Sequence, residues 1–111
     1  MEINELMSGN TLVVCPVGCL DSVTSPELDS YLNAKLDEHA SVVVDMQEMD
    51  YVSSAGLRIF LLVAKKMKGK GGDFVFCTLQ PNIYNVFEVS GFLSILSVYE
   101  NRQQALSDIQ K

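Results

Sequence analysis

Hydrophobic and polar positions follow two different periods along this chain, one typical of strands and the other of helices. Residues 10–17 (NTLVVCPV) are rich in β-branched and apolar side chains and come directly after a Ser-Gly turn signal. Residues 2–7 alternate weakly between polar and apolar side chains. The two segments are therefore predicted to form an N-terminal antiparallel hairpin.

The first helix is predicted to begin at Ser25, where the period of the apolar residues becomes helical. Ser25 is the expected N-cap, and Pro26 the first helical residue, a position at which proline costs no backbone hydrogen bond. Leucine recurs at every fourth position on one face: Leu28, Leu32 and Leu36. This is the pattern of an amphipathic helix.

Three consecutive valines, Val42–Val44, predict a strand that is covered on both faces, as in a parallel sheet. After a short loop, residues 54–68 predict a helix that ends at the glycine-rich stretch KGKGG. The remaining elements alternate: strands over 73–79 and 95–100, and helices over 81–89 and 102–109. This order predicts one α/β domain over residues 1–111. We expect a mixed, mostly parallel sheet with an antiparallel N-terminal hairpin and about four helices.

Composition and charge narrow the classes of function. The net charge of −6 and the pI near 4.5 argue against binding to nucleic acid or to an anionic membrane surface, because both need clustered positive charge. The first ten residues are acidic and lack the apolar stretch of a signal peptide, and the longest apolar run, 59–64, is too short to span a bilayer. Three cysteines without a Cys-x-x-Cys pair are expected to be buried, reduced thiols. The expected location is the cytoplasm.

Most signatures of an enzyme are missing. KGKGG lacks the Gly-Lys-Ser/Thr sequence that cradles phosphates. A nucleophile elbow needs glycine two residues before its serine, but Tyr51 and Val52 stand at those positions before Ser53 and Ser54. The single histidine, His39, is interpreted as a solvated cation at a helix end. We therefore predict neither an enzyme nor a bound cofactor; a small α/β enzyme or nucleotide binder is the alternative.

Three carboxylates, Asp45, Glu48 and Asp50, are expected to gather on the loop just before the serines. Carboxylates at the carboxyl ends of parallel strands can hold magnesium. No phosphate-binding loop completes such a site here, so turn-forming and solvated roles are the favoured interpretation.

Two stretches of the chain resemble the STAS family, the sulfate-transporter and anti-sigma-factor-antagonist domain. In GCLDSVTSPEL, the residues Gly18, Leu20, Asp21 and Thr24 match the family's Gly-x-Leu-Asp-x-x-Thr turn into its first helix. VVVDMQEMDYVSSAGLR (42–58) is similar to the family pattern apolar-Asp-apolar, a spacer, then aromatic-apolar-Asp-Ser-Ser/Thr-Gly-Leu. The resemblance covers essentially the whole chain.

The resemblance implies which residues matter. Ser54 matches the serine that a partner kinase phosphorylates in anti-sigma factor antagonists. Ser53 stands where those proteins often have aspartate, and Ala55 where they have a second Ser or Thr, whereas Gly56 and Leu57 match directly. Together with Asp21, the four neighbours of Ser54 are the expected partner-binding residues.

Ser53 is predicted to cap the helix and Ser54 to expose its hydroxyl; alternatively, both serines only serve the helix start. Gly56 is expected to leave room for a close approach by the partner. Asp21 is expected either to lie near Ser54 on the same rim or to cap the turn before Thr24.

By resemblance, the chain is expected to be an anti-sigma factor antagonist without a cofactor. Its unphosphorylated form would bind an anti-sigma factor of the GHKL serine-kinase type, phosphorylation at Ser54 would release it, and a PP2C-type phosphatase would reset it. The alternative is a STAS accessory or scaffold subunit that is never phosphorylated, in a lipid-transport or stressosome-like assembly.

Overall fold

A five-stranded sheet forms the centre of the structure, a computed structural model that describes residues 1–110. The strands in chain order are β1 (Ile3–Ser8), β2 (Thr11–Pro16), β3 (Gly18–Leu20), β4 (Ser41–Asp45), β5 (Met49–Val52), β6 (Asp73–Cys77) and β7 (Ser97–Tyr99). The helices are α1 (Ser25–Leu36), α2 (Ser54–Gly69), α3 (Pro81–Val89) and α4 (Arg102–Ile109), with a short 3₁₀ turn at Phe92–Ser94. The central sheet has the order β1-β2-β4-β6-β7.

The predicted fold class is confirmed. Strands β1 and β2 pair antiparallel as the N-terminal hairpin, and β2, β4, β6 and β7 pair parallel. Each parallel connection passes through at least one helix, as parallel strands require. No helix within residues 1–110 has the length and apolar character needed to cross a membrane.

Helices cover both faces of the central sheet, and the three consecutive valines in β4 reflect this arrangement. Val42 and Val44 face the larger core, which α1, α2 and α3 also line. Val43 faces the opposite side, where it packs in a smaller cluster with Ala105 of α4. Successive side chains in a strand point to opposite faces of the sheet. A strand that is covered on both faces therefore has apolar side chains at consecutive positions, as Val42–Val44 do.

Edge-to-face aromatic contacts connect the helices to the sheet in the larger core. The ring centroid of Phe76 in β6 lies 4.8 Å from that of Phe60 in α2 and 5.7 Å from that of Phe87 in α3. All three side chains are fully buried. Such contacts add to the burial of apolar surface and fix the two helices against one strand.

A second, two-stranded parallel sheet was not predicted. It pairs β3 with β5, with Leu20 opposite Val52. The sequence predicts turn and loop in these segments, because strands of three and four residues are too short to show a period. The small sheet leads directly into α2, so it positions the start of that helix.

Two further local predictions were wrong. Thr24, not Ser25, is the N-cap of α1; Ser25 is the first helical residue, and its buried hydroxyl has no hydrogen-bond partner within residues 1–110.

All three cysteines are free, but Cys19 is exposed and only Cys77 is fully buried. Burial raises the pKa of the Cys77 thiol to about 11, which keeps it protonated at neutral pH.

Asp45 does not lie on a loop with Glu48 and Asp50. It ends β4, is only 3% exposed, and accepts a hydrogen bond from Nε of Arg102 in α4 at 2.9 Å. Its other oxygen accepts the backbone N–H of Gln47 at 3.1 Å. The carboxylate therefore anchors the C-terminal helix to the sheet, and no group of His, Cys, Asp and Glu residues in the described chain could hold a metal ion.

We predict that Arg102→Gln destabilises the protein by about 1–3 kcal/mol, because it leaves the buried Asp45 carboxylate without its cation. Lys35→Gln is the control, since it breaks the more exposed pair with Glu5 and should cost no more than about 0.5 kcal/mol. Urea denaturation gives both free energies of unfolding. Equal losses in the two variants would show that the pair with Asp45 does not anchor α4.

Candidate functional site

The start of α2 is held by Ser53, which caps the helix as predicted. Its backbone is extended, and its Oγ accepts the N–H of Gly56 at 3.3 Å. The N–H of Ser53 donates to the carbonyl of Leu20 at 2.8 Å, which ties the cap to β3. Ser53 therefore provides the side-chain cap of α2, and the Ser54 side chain takes no part in it.

Ser54 is the first residue of α2, and its side chain is exposed. Within residues 1–110 its hydroxyl takes part in no hydrogen bond, whereas the Ser53 hydroxyl is engaged by Gly56. Ser54 also lies at the positive end of the helix dipole, where a negative charge is stabilised. This position combines an accessible hydroxyl oxygen with a helix N-terminus, whose dipole and free N–H groups favour a phosphoryl group.

Asp21 caps the turn before α1, which is one of the two roles expected for it. Its Oδ1 accepts the N–H of Val23 at 2.9 Å and that of Thr24 at 3.0 Å, while its own N–H donates to Oγ1 of Thr24 at 2.9 Å. Hydrogen bonds from the backbone N–H groups of Thr24 and Val23 lower the pKa of the Asp21 carboxyl below its ordinary value of 3.8. The charged carboxylate is thus the form that holds this turn.

The small sheet brings the Asp21 turn next to the helix start. Leu20 and Val52 are paired in β3 and β5, and Asp21 and Ser53 are the residues that follow them. Because parallel strands end at the same edge, the Asp21 turn and the Ser53 cap lie side by side. We call the surface formed by Asp21, Ser53 and Ser54 the rim. The structure therefore brings Asp21, Ser53 and Ser54 into one region, and their function stays a prediction.

Gly56 and Leu57 face inward, not toward the solvent. Gly56 is buried, and a Cβ atom placed on it would lie 2.6 Å from Cδ2 of Leu20. Leu57 is 8% exposed and packs into the larger core, whereas Ala55 is partly exposed. The expectation that Gly56 leaves room for a partner is corrected: the space is filled by Leu20 of the chain itself. The part of Gly56 and Leu57 in partner binding stays a prediction.

Sequence reasoning overlooked three exposed side chains around this rim. Val23 is 76% exposed on the turn that Asp21 holds, and Tyr51 is 51% exposed in β5. Arg58 is exposed in α2, four residues after Ser54. The spacing of Arg58 was visible in the sequence; the exposure of the two apolar side chains was not, because it depends on how β3 and β5 pair.

The histidine lies away from the start of α2. His39, the only histidine, follows α1 and is partly buried rather than solvated; its nearest carboxylate is that of Glu38, with Nε2 to Oε2 at 3.9 Å. It lines a depression with residues from the ends of α1 and α2, far along the helix from Ser54. The titratable side chains beside the start of α2 are therefore the carboxylates of Asp21, Glu48 and Asp50, without a histidine among them.

Comparison with known proteins identifies the same family throughout. The family model of the STAS domain matches residues 3–105. BtrV of Bordetella bronchiseptica, which carries the name of an anti-sigma factor antagonist, is 43% identical over 95 residues, covering 85% of this chain and 82% of that protein.

Solved structures share the fold. An anti-sigma factor antagonist from Mycobacterium paratuberculosis superposes with a TM-score of 0.92 at 22% identity and covers 99% of this chain and 94% of its own. The phosphorylated form of the Bacillus cell fate determinant SpoIIAA superposes with a TM-score of 0.75 at 15% identity, covering 97% and 99% of the two chains. At these identities the two structures establish the fold alone.

We predict that Gly56→Ala destabilises the protein by about 1–3 kcal/mol, because the new methyl group collides with the buried Leu20 side chain. Gly69→Ala is the matched control in the same helix: nothing lies within 4 Å of the added Cβ, so the better helix propensity of alanine should leave stability unchanged or raise it by up to about 1 kcal/mol. Thermal or urea unfolding measures both. A neutral Gly56→Ala variant would disprove the close contact.

The Asp21 turn should respond to acid. Because the folded-state pKa of Asp21 is lowered, its contribution to stability is present above the unfolded-state value and is lost as the pH falls through the folded-state value. We therefore expect wild type to be more stable than Asp21→Asn at pH 7, and this difference to shrink below about pH 4. Melting temperatures of both proteins from pH 7 to pH 2.5 test this. A difference that does not change with pH would contradict it.

Proposed function

This chain belongs to the STAS domain family, and on that premise we propose that it is an anti-sigma factor antagonist regulated by phosphorylation at Ser54. Its unphosphorylated form binds an anti-sigma factor, and the phosphate on Ser54 ends this binding. The relative BtrV, at 43% identity, supports the assignment to anti-sigma factor antagonists.

The observation that carries the proposal is the division of roles between two adjacent serines. Ser53 is occupied as the cap of α2, and Ser54 presents a free hydroxyl beside it. A serine that is not needed for the fold, exposed at the positive end of a helix, is well suited to carry a phosphoryl group. The existence of a phosphorylated form of SpoIIAA, which shares the fold, supports the same interpretation.

Release of the partner is a surface effect under this proposal. A phosphate on Ser54 adds a charge of about −1.5 to −2 and considerable bulk. At the start of α2 the charge is favourable by about 0.3–1 kcal/mol, although Asp21, Glu48 and Asp50 reduce this gain by repulsion. The chain has no electrostatic reason to refold, so the phosphate acts by placing a desolvated charge into the contact with the partner.

The proposed partners follow from the family resemblance. The anti-sigma factor is of the GHKL serine-kinase type and uses its own ATP to phosphorylate Ser54, and a PP2C-type phosphatase removes the phosphate. The chain acts in the cytoplasm as a substrate and binding module, and it brings no cofactor of its own.

Two rival functions are separated from this one by simple measurements. A STAS scaffold or accessory subunit would retain no GHKL-type kinase when the tagged chain is used to capture proteins from its own cell extract. A nucleotide binder would release heat when it is titrated with nucleotides and magnesium. The proposed antagonist retains the kinase and shows no nucleotide binding by itself.

We predict that Ser54→Asp binds the captured kinase more weakly than Ser54→Ala by about 2–5 kcal/mol, because only the aspartate introduces a charge into a desolvated contact. Isothermal titration calorimetry of each variant against the purified kinase measures the difference. The kinase should also transfer one phosphate to wild type, located at Ser54 by peptide mass spectrometry.

Ser53→Ala is the matched control for phosphorylation. It deletes a hydroxyl one residue away and weakens the cap, but it keeps the acceptor, so it should still be phosphorylated. Equal affinity of Ser54→Asp and Ser54→Ala, or a phosphate mapped to Ser53, would refute the proposed switch.

A further inference from the structure

We propose that Arg58 is the internal partner of the phosphate on Ser54: in the phosphorylated chain its guanidinium group pairs with the phosphoryl group one helical turn away. The inference builds on the proposed function, since it concerns the phosphorylated form of the same serine. It adds a residue that holds the phosphate in place once it has been attached.

The geometry of α2 places the two side chains together. Ser54 and Arg58 are both exposed, and they are separated by four residues, the spacing at which helical side chains are neighbours on one face. Because helical Cα–Cβ bonds tilt toward the N-terminus, a long side chain at position 58 can reach back to position 54. A guanidinium group can donate two parallel N–H bonds to phosphoryl oxygens.

Arg58 makes no side-chain hydrogen bond or ion pair with any other residue in positions 1–110. Within residues 1–110 it takes part in none of the ion pairs, whereas Lys66 in the same helix donates to Oδ1 of Asn33 at 2.6 Å. Residues 54–69 contain four cations and no carboxylate. Arg58 is therefore free to pair with a new anion on its own helix face.

The position of Arg58 is unusual for a cation. Lys66 and Lys68 lie in the last turn of α2, where the helix dipole favours positive charge. Arg58 lies in the second turn, close to the positive end, where the dipole disfavours it. A dianion at Ser54 would convert this unfavourable placement into an ion pair.

The surroundings make an internal cation useful. The charged groups on the elements next to the start of α2 are carboxylates. Asp21 lies on the turn after β3, Glu48 directly before β5, and Asp50 in β5. They repel a phosphate on Ser54. Arg58 is the only charged residue between positions 54 and 64, so it is the side chain of α2 that can offset this repulsion.

The test uses the full chain with phosphoserine incorporated at position 54 during synthesis, so that no kinase is required. The sequence contains two arginines, Arg58 and Arg102, and therefore two Arg Nε–H signals in a ¹⁵N NMR spectrum. We expect phosphoserine to shift the Arg58 signal and to slow its exchange with water several-fold. The Arg102 signal, already bonded to Asp45, should not change and serves as the internal reference.

Stability provides a second measurement. Phosphoserine should raise the melting temperature of the wild-type chain relative to the unmodified form, and Arg58→Gln should reduce this increment by about 1–2 °C. Arg58→Lys should retain part of it. Lys65→Gln is the matched control: it removes one exposed cation from the same helix, about 16 Å along the axis from Ser54, and should leave the increment unchanged.

The inference is overturned if the Arg58 signal is unaffected by phosphoserine, or if Arg58→Gln and Lys65→Gln change the increment equally. Its failure differs from failure of the proposed function. A chain that the captured kinase phosphorylates, but in which Arg58 stays free, would retain the switch and lose this pair. A chain whose incorporated phosphoserine pairs with Arg58, but which no kinase modifies or binds, would show the reverse.

Discussion

The contact between Gly56 and Leu20 is the constraint on which the candidate site depends. Leu20 is completely buried, and it occupies the space that a side chain at position 56 would need. The first turn of α2 can therefore approach β3 closely, and the backbone bond from Ser53 to Leu20 fixes the register of the two elements. Without this approach, the Asp21 turn and the exposed Ser54 would not share one rim.

Much of the fold could be predicted from the sequence because its main elements are long or buried on both sides. Val42–Val44 indicated a strand covered on both faces, and the leucine spacing of α1 indicated its buried face. The small sheet could not be predicted in this way. Strands β3 and β5 are defined by their pairing with each other, and a segment of three or four residues carries no period that would reveal a distant partner.

The sequence located the candidate site, but it revealed the contacts of only some of the site residues. Ser53 was correctly recognised as the cap, because capping depends on neighbours three residues away. The role of Gly56 depends on Leu20, which is 36 positions earlier in the sequence, and the burial of Asp45 depends on Arg102 at the other end of the chain. Contacts at such separations leave no local pattern, so these two residues were interpreted as surface features when they are structural.

The identity of the cap has a consequence for how clearly two states of this protein can be distinguished by a partner. By the family resemblance, aspartate often stands at the position of Ser53, where it would place a permanent negative charge beside the serine proposed to be phosphorylated. Here the cap is neutral, and the first turn of α2 contains no acidic residue. Under the proposed switch, the cap and the first turn of α2 would therefore carry no side-chain charge before phosphorylation and a dianion after it. A neutral cap adds no further negative charge to that of Asp21, Glu48 and Asp50, so under the proposed switch the phosphate would change the charge of the first turn of α2 from zero to about −2.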